Sequence, residues 1–502
     1  MNIPNILFYK IIQYVLECDF YNAKYKLSMG LVNRMLFEYL QTNYFTMVSI
    51  DKLLLNCTTK KFKENVLNHL VNRYCLLSNP ISMNIPIYTI FRDSGYGMKN
   101  VFIKGLLPLY KNIQTLDIYF NFFSDLSLSD FPSLRNLSLS TVGYGTFPVL
   151  NLDIVPPLTH LSISINQLPQ FESFQSLITS VENSLVSLNI EFQMHNHWAD
   201  VSIDSMNFLT THPKNKLQSF SFRATGAVFK SKEILDTQID SLRELEMTYY
   251  DNSVYNFICN SNVLTSLTLN IVEPSDITTL LPLLNQRPNI KHLDITYKHH
   301  GENEVWIPLI YITKLKLKLT NISSEKYLNS NYNVTSLLDL DIDNIIIRSN
   351  QIIPESLTRM IRECISIKKL RVTFKSNDAS TVLGALSTSD ILSDNQSLTQ
   401  LDISTIQITD YIDSFLNLFK HLDKIPTLQR VSVTYSIINK DETRKPNESN
   451  HGWNLISIQR PLSTNVFFFK ANFIRGGNIP STNTKEQPIE KKKSFFQKLF
   501  KN

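Results

Sequence analysis

From Asn112 to about Ser436 the chain repeats one hydrophobic phrase: an apolar residue, two others, an apolar residue, one other, and a third apolar residue. It occurs at Ile113-Leu116-Ile118, Leu134-Leu137-Leu139, Leu158-Leu161-Ile163, Leu185-Leu188-Ile190, Leu217-Phe220-Phe222, Leu242-Leu245-Met247, Leu264-Leu267-Leu269, Ile290-Leu293-Ile295, Ile312-Leu315-Leu317, Leu337-Leu340-Ile342, Ile367-Leu370-Val372, Leu398-Leu401-Ile403 and Leu428-Val431-Val433, thirteen copies in all. The second and third apolar positions are two residues apart, which places both on one face of a short strand. The middle position advances by about 26 residues per copy, a period at which each unit supplies one strand and a return path. One such strand cannot bury its apolar face alone, so the copies must stack on one another. The pattern predicts an α/β fold, a curved parallel sheet wound as a solenoid.

The residues alternating with the buried positions then share the opposite, concave face. Most are small and polar, as in Asn136-Ser138-Ser140 or Ser266-Thr268-Asn270. Charge arrives in blocks: Lys314-Lys316-Lys318, then Asp339-Asp341-Asp343, then Lys369-Arg371-Thr373. Parallel neighbours lie about 4.8 Å apart, so these triplets form adjacent stripes of alternating sign. Lys314 should face Asp339 and then Lys369, while Lys316 faces Asp341, Arg371 and Asp402. Such stripes can simply neutralise one another, at a few tenths of a kcal/mol per exposed pair. They can also form a two-signed docking patch for a partner protein.

The repeat divides the chain into residues 1–42, an opening of short helices; 43–111, a linker and cap for the solenoid; 112–436, the array; 437–475, terminal capping strands; and 476–502, a basic-aromatic tail. In the opening, Leu7, Ile11 and Val15, with Ile12 and Leu16, hold one apolar helix stripe. An imperfect strand is predicted near 44–50, a helix-like run at 62–71, and a loop-rich joint over 78–100, where Pro80, Pro86, Gly95 and Gly97 fall. Early return paths carry Phe131-Pro132, Phe147-Pro148 and Pro156-Pro157, which favour extended backbone. Later ones (276–284, 354–364, 410–422) read as helices, so helical return paths are expected toward the C-terminal half. Trp453, Leu455, Ile456 and Ile458, then Val466 to Phe469, read as the capping strands.

The thirteen phrases resemble the leucine-rich-repeat family of the ribonuclease-inhibitor type. In that family an Asn three residues past the third apolar position closes the turn between coils; here only Asn121 and Asn166 stand there, and other copies carry residues such as Val142, Gln193 or Lys298. The turns must be closed another way, and an irregular horseshoe is expected. Ile3-Pro4 with Ile6-Leu7, and Val32-Asn33-Arg34 followed by Phe37, resemble a degenerate F-box, and the combination is similar to amoebal F-box/leucine-rich-repeat proteins. The resemblance implies that Pro4, Ile6, Leu7, Ile11 and Ile12 dock on a Skp-type adaptor of a cullin-RING ubiquitin ligase, with the solenoid presenting a substrate protein. The alternative is that these helices only cap the open end of the array, as solenoids require for solubility, in a scaffold or signalling protein without a ligase link.

Composition narrows the classes further. Hydrophobic residues make up 43% and aromatics 11%, ample for a core. No apolar run follows a basic start and none reaches membrane-spanning length, which leads to the expectation of a cytoplasmic protein. Five scattered cysteines without Cys-x-x-Cys suit reduced thiols. Net charge is +5, much of it in the last eighteen residues, so the array is nearly neutral and no nucleic-acid groove is expected along it. His195 with His197, and His299 with His300, lack further ligands at usual zinc spacings. Phosphate-binding glycine motifs and nucleophile elbows are absent, and the chain has only 12 glycines. No metal, cofactor or catalytic activity is expected. In the tail, Lys491, Lys492, Lys493, Phe495, Phe496 and Phe500 combine cations with bulky aromatics. This suits weak contact with an anionic membrane surface, or a nuclear import address, or merely a solvated end.

Overall fold

A computed structural model describes residues 34–43, 47–49, 68, 75, 80–85, 111–119, 127–140, 154–165, 169–192, 216–224, 232–272, 274–298, 309–320, 336–345, 365–374, 397–405, 422, 425–437, 449–450, 453–459 and 467–475. Its centre is one 18-stranded sheet. Two short strands come first, β1 (Met47–Ser49) and β2 (Ser82–Ile85). Thirteen follow, one for each phrase: β3 (Thr115–Tyr119), β4 (Asn136–Ser140), β5 (His160–Ile165), β6 (Ser187–Phe192), β7 (Ser219–Ala224), β8 (Glu244–Tyr249) and β9 (Ser266–Val272). Then come β10 (His292–Lys298), β11 (Lys314–Thr320), β12 (Asp339–Ile345), β13 (Lys369–Phe374), β14 (Gln400–Thr405) and β15 (Arg430–Ile437). Strands β1 to β15 pair in chain order, each parallel to the next, and the sheet does not close. Phrase aligns with phrase, as in Leu137↔Leu161↔Leu188.

The packing follows from the pattern. Every phrase position whose side chain is described is at most 5% exposed, including the first apolar residue of each phrase, which lies ahead of its strand. Burying an aliphatic side chain of this size stabilises by roughly 1.5–3 kcal/mol, and the stacked rows make one continuous core. Phe192 and Phe222 meet inside it with ring centres 5.7 Å apart.

A backbone ladder joins successive coils just ahead of the strands. One carbonyl per coil accepts two N–H groups from the next. Gln114 O takes Arg135 N and Asn136 N at 2.9 Å each, Thr265 O takes Lys291 N and His292 N, and Thr399 O takes Gln429 N and Arg430 N. Hydroxyl groups add a second ladder between some of the coils. A Ser or Thr immediately before the first apolar residue donates to the preceding coil: Ser184 Oγ to Leu158 O at 2.8 Å, Ser336 Oγ to Ile312 O at 3.0 Å, Ser366 Oγ to Leu337 O at 2.8 Å and Thr427 Oγ1 to Leu398 O at 2.9 Å. Ser397 Oγ donates to Ile365 O. Each of these coil entries thereby gains a hydrogen-bonded carbonyl. Asn121 and Asn166 lie outside the described residues.

Two expectations are corrected. The stretch 78–100, read as a loop-rich joint, contains β2, which extends the parallel sheet with Met83 buried opposite Leu116. Its phrase is incomplete, so spacing alone does not reveal it. Helical return paths are not reserved for the C-terminal half. Among the described residues α2 (Pro169–Val181), α3 (Lys232–Thr237) and α4 (Asn252–Asn260) precede the expected helix α5 (Pro274–Leu284), while α1 is Arg34–Asn43. Proline is as compatible with a first helical turn as with extended backbone. Pro169 opens α2, and Phe174, Leu177, Ile178 and Val181 form its buried stripe. Asp251 caps α4, accepting from Ser253 N and Val254 N at 2.9 Å each. At the end of the array β17 (Trp453–Gln459) does not follow β15 directly. Instead β18 (Phe467–Arg475) lies antiparallel between β15 and β17, and β16 (Ser449–Asn450) pairs outside β17. Arg475 ends the ladder: its N–H donates to Gln429 O, and its guanidinium donates to Ile425 O at 2.6 Å.

No helix among the described residues is long and apolar enough to cross a membrane. The predicted helices at 354–364 and 410–422, and the run at 62–71, lie outside the described residues except for Leu422 and Asn68.

Candidate partner-binding face

Alternation sends the polar residues of each strand away from the core, and the ladders fix their register. Along β10 to β14 the first concave row reads His292, Lys314, Asp339, Lys369, Gln400, and β15 adds Arg430. The second row reads Asp294, Lys316, Asp341, Arg371, Asp402. Lys318 and Asp343 face one another in the third. These are the stripes expected from the sequence. Side chains from β9 to β14 line a single depression of about 420 Å³, so the polar side of the sheet is concave here.

The second row is internally paired. Lys316 Nζ lies 2.8 Å from Asp294 Oδ2, while Arg371 reaches Asp341 Oδ2 at 3.0 Å and Asp402 Oδ2 at 3.4 Å. Burial disfavours the Arg371 charge, but Asp341 and Asp402 outweigh it and raise the guanidinium above its ordinary value. The first row differs: Lys314, Lys369 and Arg430 are exposed, and among the described residues none of them is in an ion pair.

Another constellation was not foreseen. Glu246 on β8 accepts Arg223 Nε at 2.6 Å, Arg223 Nη2 at 2.9 Å, Ser221 Oγ at 2.9 Å and Asn270 Nδ2 at 3.2 Å. The register places Glu191 directly opposite Arg223, yet the bidentate bond runs diagonally to the next strand. A sequence supplies register but not diagonal reach. With its acceptor sites filled this way, Glu246 ties three coils together. Burial pushes its carboxyl up, but the donors from Arg223, Asn270 and Ser221 prevail and hold it below the ordinary 4.5. A depressed folded value means that the bond's stabilisation is complete above about pH 4.5 and is lost as pH falls through the lower folded pKa. Glu246→Gln should therefore cost about 1 kcal/mol at neutral pH and flatten the acid limb of a stability-against-pH curve; equal acid limbs in both proteins would contradict the assignment.

Toward the N-terminal end a smaller depression of about 140 Å³ is lined by polar, mostly uncharged residues of β3 to β6. There Asn136 Nδ2 donates to Thr115 Oγ1 and Asn189 Nδ2 to Ser162 Oγ, both at 3.0 Å, so these side chains bond chiefly to one another. Among the described residues no group of three or more His, Cys, Asp or Glu could hold a metal ion. Pro4, Ile6, Leu7, Ile11 and Ile12, the histidines at 195, 197, 299 and 300, and the tail with Lys491, Lys492, Lys493, Phe495, Phe496 and Phe500 lie outside the described residues. No family model matches the chain, and no curated protein matches it at a significant level.

Proposed function

We propose that this chain is a non-enzymatic protein-recognition module of the leucine-rich-repeat type, docking its partner on the concave face of β9 to β14. The observation that carries the reading is the two-signed charge held there on rigid, laddered strands. The depression is open and lined by exposed cations beside half-buried carboxylates. Such a surface suits side chains of a second protein better than a small apolar ligand, which needs an enclosed and mostly hydrophobic pocket. The proposal extends to the role of substrate receptor in a cullin-RING ubiquitin ligase, with the opening helices held by a Skp-type adaptor. That part rests on the F-box resemblance of residues 3–37, and the basic-aromatic tail is assigned no role in it.

Affinity capture of the tagged full chain, read by mass spectrometry beside two variants, tests both parts. Replacing Asp339, Asp341 and Asp343 by Asn should reduce recovery of the substrate by at least tenfold, and unchanged recovery would sink the docking assignment. Replacing Pro4, Ile6 and Leu7 by polar residues should remove adaptor and cullin while the chain stays folded. Absence of both proteins from the intact chain would leave a scaffold with no ligase link.

A further inference from the structure

The first concave row has a period of its own. Its cations stand on alternate strands, Lys314 on β11, Lys369 on β13 and Arg430 on β15, with Asp339 and Gln400 on the strands between. Two strand spacings are about 9.6 Å. Three residues of a polyproline II peptide make one turn of about 9.3 Å and return the side chain to the same face. A peptide lying across the strands therefore brings every third side chain over a cation. One of the two residues between the first two of these passes Asp339, where a basic side chain is favoured and an acidic one repelled.

We propose that this row binds a peptide segment in the polyproline II conformation with acidic side chains at every third position and a basic side chain between the first two acids. The proposal rests on the recognition reading above and names the chemistry of the partner. Two features favour a peptide over a polynucleotide. A nucleic-acid backbone carries a charge at each nucleotide and no cation, so it cannot skip Asp339 or complement it. The second row brings Asp294, Asp341 and Asp402 close to the same path, in register with the first-row residues. The second-row charges are already paired with one another, and so leave specificity to the first row.

The test is fluorescence anisotropy with the full chain and synthetic peptides built on Glu-Lys-Ala-Glu-Ala-Ala-Glu, compared with a permutation that places the three acids together. The spaced peptide should bind at least tenfold more tightly, and its affinity should fall steeply with salt. K314Q/K369Q/R430Q should weaken it at least tenfold and D339N should weaken it measurably; all four side chains reach solvent. The reversed variant K314E/K369E/R430E should prefer a peptide with lysines at the three acidic positions, a gain that misfolding cannot produce. Equal binding of spaced and permuted peptides, an unaffected triple variant, or displacement by a single-stranded oligonucleotide of equal net charge would overturn the proposal. If capture of a protein depends on Asp339, Asp341 and Asp343 but the spaced peptide does not bind, the recognition reading stands and this inference falls.

Discussion

Phe222→Ala should lower the unfolding free energy by about 3–5 kcal/mol, measured by urea denaturation of the full chain. Phe222 is 2% exposed on β7, in register with Ile190 on β6 and Met247 on β8, and its ring meets that of Phe192. Removing it takes away a large apolar surface and leaves a void that backbones tied by continuous parallel ladders can close only in part. Each coil of a solenoid rests on its two neighbours, so the damage should spread from the centre of the array. A loss below about 1 kcal/mol would mean that the ring is not packed as described.

The second large effect belongs to a polar group. Gln238 follows α3 and is 2% exposed; its Oε1 accepts Leu217 N at 2.9 Å and Ser241 Oγ at 3.0 Å. It serves one coil from inside the next, replacing a backbone partner where the chain enters β7. Gln238→Leu keeps the volume but strands the buried Leu217 N–H, which should cost about 1–3 kcal/mol. Amide exchange gives a local readout: protection at Leu217 should fall further than at Leu267, several coils along. Unchanged protection at Leu217 would show that another acceptor serves that N–H.

Much of this fold is legible in the chain because its signal is repeated. A single Leu-x-x-Leu-x-Leu is ambiguous, but thirteen copies in phase imply a parallel sheet, its core rows and its register. Register then places Lys314 against Asp339 and Lys369, and Lys316 against Asp341 and Arg371. Signals that occur once are harder to read. Strand β2 carries half a phrase and gains its place from β3 beside it. The serines and threonines ahead of the phrases, at 133, 184, 336, 366, 397 and 427, are visible as a pattern, but their function appears only when the previous coil's carbonyl lies within reach.

The sequence by itself determined the strands, their order, the buried rows and the charge stripes, because side-chain alternation and a fixed repeat leave one way to hide the apolar face. Tertiary structure alone decided which neighbour each charge takes. Arg223 reaches Glu246 rather than the facing Glu191, and Arg371 bridges Asp341 and Asp402, while Lys314, Lys369 and Arg430 stay exposed. Side chains several bonds long choose partners by reach, rotamer and local curvature, and those are properties of the stacked coils, not of any one repeat.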